Sequence, residues 1–166
     1  MMISQKVADK LNEQVKNEFF ANWTYLSMAY AFESMNLKIF AKWFFKQAEE
    51  EREHAEKIAQ YLLDQGAEVK LTALDKPQTG FKSAEEIVAG AVAHEKQVTR
   101  NIHDLVDLAR AEKDHATENF LQWFIEEQVE EVASTTELLE MVKMAQGPGQ
   151  LFVLENRLYH MVESKS

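Results

Sequence analysis

Apolar residues recur at alternating steps of four and three along four long stretches of this chain, the spacing that lines one face of a helix in a bundle. The first stretch follows Ser4, whose hydroxyl suits a helix N-cap, and runs to about Glu33, before a turn at Ser34-Met35-Asn36. The second runs from about Leu37 to Gln65 and stops at Gly66, a residue suited to the left-handed conformation that ends helices. A third opens at Ser83-Ala84-Glu85-Glu86, which has the form of a capping box, and continues to about Ala111. Asp114 caps a fourth, which ends before Gly147-Pro148-Gly149. Beyond that breaker, Leu151 to about Glu163 predicts a short fifth helix with Phe152, Leu154, Leu158, Tyr159 and Met161 as its apolar contacts.

The connections fix the topology. A short turn between the first two helices makes them antiparallel, and the same holds for the third and fourth. Residues 66–82 contain Pro and Gly, lack a helical period and alternate apolar with polar through Val69, Leu71 and Leu74, so they predict an extended crossover. About 17 extended residues reach roughly 55 Å, and a helix of about 28 residues is roughly 42 Å long. The crossover can therefore travel the full length of the bundle. The expected fold is all-α: a four-helix bundle over about residues 4–145, with one long crossover and a short C-terminal helix at about 151–163. One domain over residues 1–166 is expected from the length.

Composition narrows the chemistry. The chain has 166 residues, five Gly, two Pro, no Cys and a formal net charge of -10. With no Cys, disulfides and thiolate metal sites are excluded, and any bound metal must use carboxylate, imidazole or amide ligands. The acidic balance and the lack of clustered Lys and Arg argue against nucleic acid as a partner. No secretory h-region and no membrane-spanning apolar run appears, so no membrane association and a cytoplasmic location are expected.

Each seam is interrupted near its middle by an acid. The first reads Leu11, Val15, Glu18, Asn22, Tyr25, Ala29, Phe32, and the second Phe40, Phe44, Gln47, Glu51, His54, Ile58, Tyr61. The third reads Ala84, Val88, Ala91, Glu95, Val98, Ile102, Leu105, and the fourth Leu121, Phe124, Gln128, Glu131, Thr135, Leu138, Val142, flanked by Glu127 and Glu130. Glu18 lies about 15 residues before its helix ends and Glu51 about 14 after the next begins, a mismatch of roughly 1.5 Å along the axis. Glu95 lies about 16 residues before its helix ends and Glu131 about 17 after the fourth begins, within a turn of the same level. Carboxylates facing one another in an apolar interior cannot all ionise unaided. No Lys or Arg lies on the seams, so metal ions are the economical counter-charge, at least two of them. Glu51-x-x-His54 has the spacing of inward-pointing ligands in di-iron and di-manganese bundles.

At this point the chain resembles the non-haem bacterial ferritins over nearly its whole length. The matching segments are LNEQVKNEFFANWTYLSM, QAEEEREHA, AHEKQ and DHATENFLQWFIEEQVEE, in that order and spacing. The resemblance implies a ferroxidase centre in which Glu18, Glu51 and His54 hold one iron, while Glu51, Glu95 and Glu131 hold a second, with Glu51 bridging and Gln128 beside the second iron. It implies a third iron position at Glu50, Glu127, Glu130 and Glu131, and a homo-oligomeric shell of 24 subunits with the fifth helices at fourfold axes. Fe(II) and dioxygen or peroxide would be the substrates, and Fe(III) would be stored as a mineral. Bacterioferritins carry a second Glu-x-x-His in the fourth helix, where this chain has Glu127-Gln128-Val129-Glu130, and a haem-ligating Met where this chain has Arg52. No haem is therefore expected. The chain also lacks the paired Cys motifs of a rubrerythrin.

For Tyr25 two roles stand open: electron donation or a hydrogen bond to a ligand, as in the family, and core packing with a satisfied hydroxyl. Trp123 reads as a packed aromatic, with electron transfer as its alternative, and Trp23 and Trp43 read as packing or subunit contacts. His94, His103, His115 and His160 read as lone histidines near helix surfaces. Glu118 reads as a surface acid, with a threefold entry pore as the alternative by analogy. Two rivals to iron storage remain: a di-iron peroxidase or oxidase acting as a smaller oligomer, and a metal-free helical interaction module.

Overall fold

A computed structural model describes residues 1–164. Its elements are α1 (Gln5–Ser34), α2 (Lys38–Asp64), α3 (Ala84–Ala111), α4 (His115–Met144) and α5 (Pro148–Ser164), with no strand among the described residues. The fold is all-α, as the pattern predicts. Ser4 Oγ accepts from Val7 N at 3.2 Å, and Asp114 Oδ1 accepts from Thr117 N at 3.0 Å, so both predicted caps form. Ser83 Oγ accepts from Glu86 N, and the Glu86 carboxylate reaches back to Lys82 N at 2.7 Å. The capping box thus closes one residue further upstream than its usual form.

Three helices end the same way. After α1, α2 and α3 a residue with positive φ follows the C-cap: Asn36 (59°), Gly66 (75°) and Lys113 (57°). Its N–H and that of the next residue turn back onto the last-turn carbonyls, as in Asn36 N to Glu33 O and Leu37 N to Phe32 O. The sequence marks only Gly66 clearly, because Asn tolerates this conformation and Lys does so at a steric cost.

α1 packs along α2 and α3 along α4, while α1 also meets α3. The crossover is pinned to α1 at two heights. Near the start of α1, buried Asn12 donates to Glu68 O at 2.9 Å and accepts from Lys70 N at 2.7 Å. Near its end, Ser27 Oγ donates to Gln78 O at 2.6 Å. The segment therefore returns along α1, and α3 starts beside the end of α1 and runs parallel to α2. Its apolar alternation is used only at one end: Val69 is half-buried against the body that holds Leu11 and Val15, whereas Leu71 is 75% exposed and Leu74 is exposed. Polar side chains hold this segment, so no apolar face is required of it.

The interior consists of two apolar bodies with a polar layer between them. One gathers Phe32, Phe40, Phe44, Ile87 and Val88 toward the end of α1, and the other gathers Leu11, Val15, Ile58, Ile102 and Leu121 toward its start.

α5 departs from expectation in extent and in face. It begins at Pro148, three residues before the predicted start, because proline suits a first helical turn where its missing N–H is not needed. Leu158 and Val162 are buried, with Leu154 and Met161 partly so. Phe152 is 68% exposed and Tyr159 is exposed, contrary to their expected role as contacts. At about 100° per residue, both lie one step round the helix from the buried stripe. α5 packs mainly on α2, and there buried Glu155 does something its charge conceals in the sequence. Its Oε1 accepts from Ile39 N at 2.7 Å and Phe40 N at 3.1 Å, capping a helix whose own N-cap, Leu37, has no capping side chain. Among the described residues, no helix is long and apolar enough to cross a membrane.

Replacing Glu155 with Leu should lower unfolding stability by about 1–2 kcal/mol, the usual worth of a cap. Glu155→Gln, which keeps one acceptor oxygen, should retain part of it. Chemical denaturation of both variants measures this, and equal stability in native and Leu forms would remove the cap from the account.

Candidate metal centre

The four-and-three spacing aims one acid from each of α1, α2, α3 and α4 into the polar layer. Glu18, Glu51, His54, Glu95, Gln128 and Glu131 are each no more than 5% exposed. Glu18 and Glu51 lie on the two helices of the first hairpin, and Glu95 and Glu131 on those of the second.

Among the described residues, one group of three metal-ligating side chains closes on a common point: Glu18, Glu51 and His54, whose ligand atoms lie within 4.8 Å of one another. His54 Nδ1 stands 3.6 Å from Glu51 Oε2 and 3.8 Å from Glu18 Oε2. Glu18 Oε2, both oxygens of Glu51 and His54 Nδ1 are buried and meet no backbone, amide or hydroxyl donor, only one another. Four buried polar atoms without partners in one place are costly unless something else meets them. A hard or borderline divalent cation fits this donor set of carboxylate oxygen and imidazole nitrogen.

The other acids are held differently. Tyr25 donates its hydroxyl to Glu95 Oε1 at 2.5 Å, and Gln128 Nε2 donates to Glu95 Oε2 at 3.1 Å. Gln47 Nε2 donates to Glu131 Oε2 at 3.1 Å, and Gln14 Nε2 to Glu18 Oε1 at 2.7 Å. Gln128 thus turns its amide nitrogen toward Glu95 and shares it with Thr99 Oγ1.

Electrostatics match the crowding. Burial first, then the charge of Glu51, pushes the Glu18 carboxyl well above the usual carboxylate range. Burial and the charge of Glu95 do the same to Glu51. Burial, then the charges of Glu95 and Glu51, holds the Tyr25 hydroxyl firmly protonated. Its ring lies tilted on Phe44 and edge-on to His94, so its hydroxyl is satisfied and bonded to a candidate ligand at once.

The acids assigned to a third position lie on the flank. Glu127 is half-buried, with Oε2 3.9 Å from His54 Nε2, Glu50 is half-buried and Glu130 is exposed. Burial raises the Glu127 carboxyl, and the charges of Glu130 and Glu50 add to this. Beside them Trp123 meets His54 edge-on at 5.3 Å and carries the Lys57 ammonium 3.8 Å above its ring.

Two histidine and acid readings change or sharpen. His94 is no surface histidine: it is half-buried, its Nε2 is buried without a partner, and burial favours its neutral form. One helical residue before Glu95, it is carried inward beside Tyr25. His103, His115 and His160 are exposed, and Glu118 accepts from Arg110 Nε at 2.6 Å at the surface. Trp43 is buried and Trp23 is 49% exposed. The seam pattern does not by itself mark Gln14 and Gln47 as site residues. Their signal is a neutral amide one turn before an acid, Gln14 before Glu18 and Gln47 before Glu51, on a buried face.

The family model described as Ferritin-like domain matches residues 8–145. A "Bacterial non-heme ferritin" of Bacteroides fragilis (strain 638R) is 38% identical over 157 residues, covering 95% of this chain and 98% of the relative. Another, from Staphylococcus aureus (strain MRSA252), is 35% identical over 158 residues, covering 95% of each. Among solved structures, the open pore ferritin of the hyperthermophilic archaeon Archaeoglobus fulgidus matches with a TM-score of 0.91 and 39% identity, covering 95% of this chain and 96% of the other. An engineered closed form of the Archaeoglobus fulgidus ferritin matches with the same TM-score and identity over 94% of this chain and 96% of that one. The chain belongs to the ferritin family.

Raised carboxyls give the metal-stripped protein a definite pH response. Above the ordinary carboxylate range the folded chain keeps protons on Glu18 and Glu51 that the unfolded chain has released. Stability is then fully present below that range and falls as pH rises toward the raised values. Thermal unfolding of chelator-treated protein should therefore show a lower Tm at pH 8 than at pH 6. Zn(II) should abolish the difference and release protons on binding, and a Glu18→Gln/Glu51→Gln variant should lack this share of the slope. A metal-stripped protein that grows more stable over this interval by the same amount in both forms would contradict the raised assignment.

Proposed function

We propose that this chain is the subunit of an iron-storage ferroxidase. Ferritin family and fold support iron storage in general. The observation that carries the finer reading is the buried set of unpartnered ligand atoms on Glu18, Glu51 and His54, level with Glu95 and Glu131.

Fe(II) is the substrate. Glu18, His54 and Glu51 take one ion, and Glu51, Glu95 and Glu131 take the other, with Glu51 shared. Two Fe(II) each give one electron to dioxygen, which with two protons yields two Fe(III) and one hydrogen peroxide. Anionic oxygen ligands favour the ferric product, and the apolar bodies above and below the layer exclude bulk water. Tyr25, held protonated against Glu95, keeps that carboxylate oriented. Glu50, Glu127, Glu130 and Glu131 provide a third iron position on the flank, from which Fe(III) leaves to be stored as mineral. The subunits form a 24-subunit shell. Exposed Met144, Phe152, Val153 and Tyr159 give the C-terminal end an apolar surface suited to contact with further copies.

Anaerobic Fe(II) titration followed by oxygen exposure tests this. The native protein should bind at least two Fe(II) per chain, consume one dioxygen per two Fe(II), and run at the native mass of a 24-subunit assembly. Glu131→Ala should slow oxidation on the order of tenfold or more without changing that mass. Rapid oxidation by a dimer would turn the reading to a di-iron oxidase or peroxidase, and no stoichiometric Fe(II) would return the chain to a helical interaction module.

A further inference from the structure

The acids of the polar layer differ in what touches their oxygens. Glu18, Glu95 and Glu131 each receive at least one side-chain donor from the protein, and Glu51 receives none. The donors are neutral: three glutamine amides from α1, α2 and α4, and the Tyr25 hydroxyl. We propose that Gln14 and Gln47 are positioning residues of the metal centre, which commit one oxygen of Glu18 and one of Glu131 to hydrogen bonds and so set how each carboxylate is presented to a cation. The inference rests on the two-metal reading above.

Chemistry explains why the donor is an amide. A Lys or Arg in the same place would neutralise the carboxylate and compete with the cation. A Gln N–H fixes the orientation of the carboxylate while leaving its charge, the usual service of an outer-sphere partner to a metal ligand. For Glu18 the division is visible atom by atom. Oε1 accepts from Gln14 Nε2 at 2.7 Å, and Gln14 Oε1 in turn accepts from Asn17 Nδ2 at 3.3 Å. Oε2 is left facing His54 Nδ1. Gln47 supplies a second argument: it is 2% exposed and its Oε1 is buried with no donor, yet its Nε2 stays on Glu131. A glutamine kept in a core with one half unmet is poor packing, and a leucine would fill the volume without that penalty. With Glu18 and Glu131 held, Glu51 is the acid whose two oxygens meet no amide or hydroxyl donor, as sharing between two cations requires.

Single-site backgrounds separate this role from packing. Glu131→Ala leaves the position of Glu18, Glu51 and His54, and Glu18→Ala leaves that of Glu51, Glu95 and Glu131. Into each, Gln14→Met and Gln47→Met are introduced, since Met keeps the length of Gln and removes the donor. Co(II) affinity is measured by calorimetry, and the visible absorption of the bound Co(II) reports its ligand geometry. Gln14→Met should weaken Co(II) about tenfold and shift its absorption envelope in the Glu131→Ala background, with less than about a twofold change in the Glu18→Ala background. Gln47→Met should show the opposite pattern. Equal losses in both backgrounds, or none in either, would overturn the positioning role. If a Met variant fails to fold by circular dichroism, Gln14→Leu and Gln47→Leu run the same comparison. A native chain that binds no Co(II) would instead overturn the two-metal reading itself, so the two failures are told apart.

Discussion

Four carboxylates and an imidazole held between two apolar bodies are the constraint on which the rest of this molecule depends. Desolvation alone would keep these acids protonated, and mutual repulsion pushes in the same direction. The structure meets the cost unevenly: hydroxyl and amide donors satisfy Glu95 and part of Glu18 and Glu131, while Glu51 and His54 Nδ1 are left with nothing from the protein. An interior organised this way would be a poor core. It suits a receptor for cations, because the energy withheld by the unmet groups would be recovered on entry of a positive charge.

The helices are built to tolerate that defect. Packed aromatic residues stack on one side of the layer, with Phe32 on Phe40 at 5.0 Å and on Phe44 at 4.9 Å. On the other side aliphatic residues such as Leu11, Val15, Ile58 and Ile102 pack with Phe124. Threonines within the layer turn their hydroxyls onto their own helices, Thr135 to Glu131 O and Thr99 to Glu95 O, so they add no unmet donors. Among the buried atoms so described, those without partners are the ligand atoms of Glu18, Glu51 and His54, together with Thr24 Oγ1, Gln47 Oε1 and His94 Nε2.

Much of the fold is legible in the sequence because helical period and caps are local signals. Ser4, Ser83, Asp114 and Gly66 mark boundaries within a residue or two, and the burial of Glu18, Glu51, Glu95 and Glu131 follows from their place in otherwise apolar seams. What escaped depends on contacts between distant segments. Glu155 carries no local mark of its role, which appears only where α5 brings it to the open N–H groups of α2. The alternation through Leu71 and Leu74 marks an extended crossover but not what holds it, which is its backbone bonded to Asn12 and Ser27. Gln14 and Gln47 are quieter still, since an amide one turn before an acid marks a buried face but not its task, and only the acid it touches reveals its use.

The long crossover divides the chain into two hairpins, and the ligand atoms divide with it. Glu18, Glu51 and His54 all belong to the α1–α2 hairpin, joined by a turn of a few residues. Glu95 and Glu131 belong to the other hairpin, whose cation would also draw on Glu51. One half of the centre is therefore a product of local chain closure, complete when two neighbouring helices meet. The other half exists only after the crossover has brought the hairpins together. On the proposed two-cation reading the positions are unequal: the first would need only a closed hairpin, and the second would need the finished bundle.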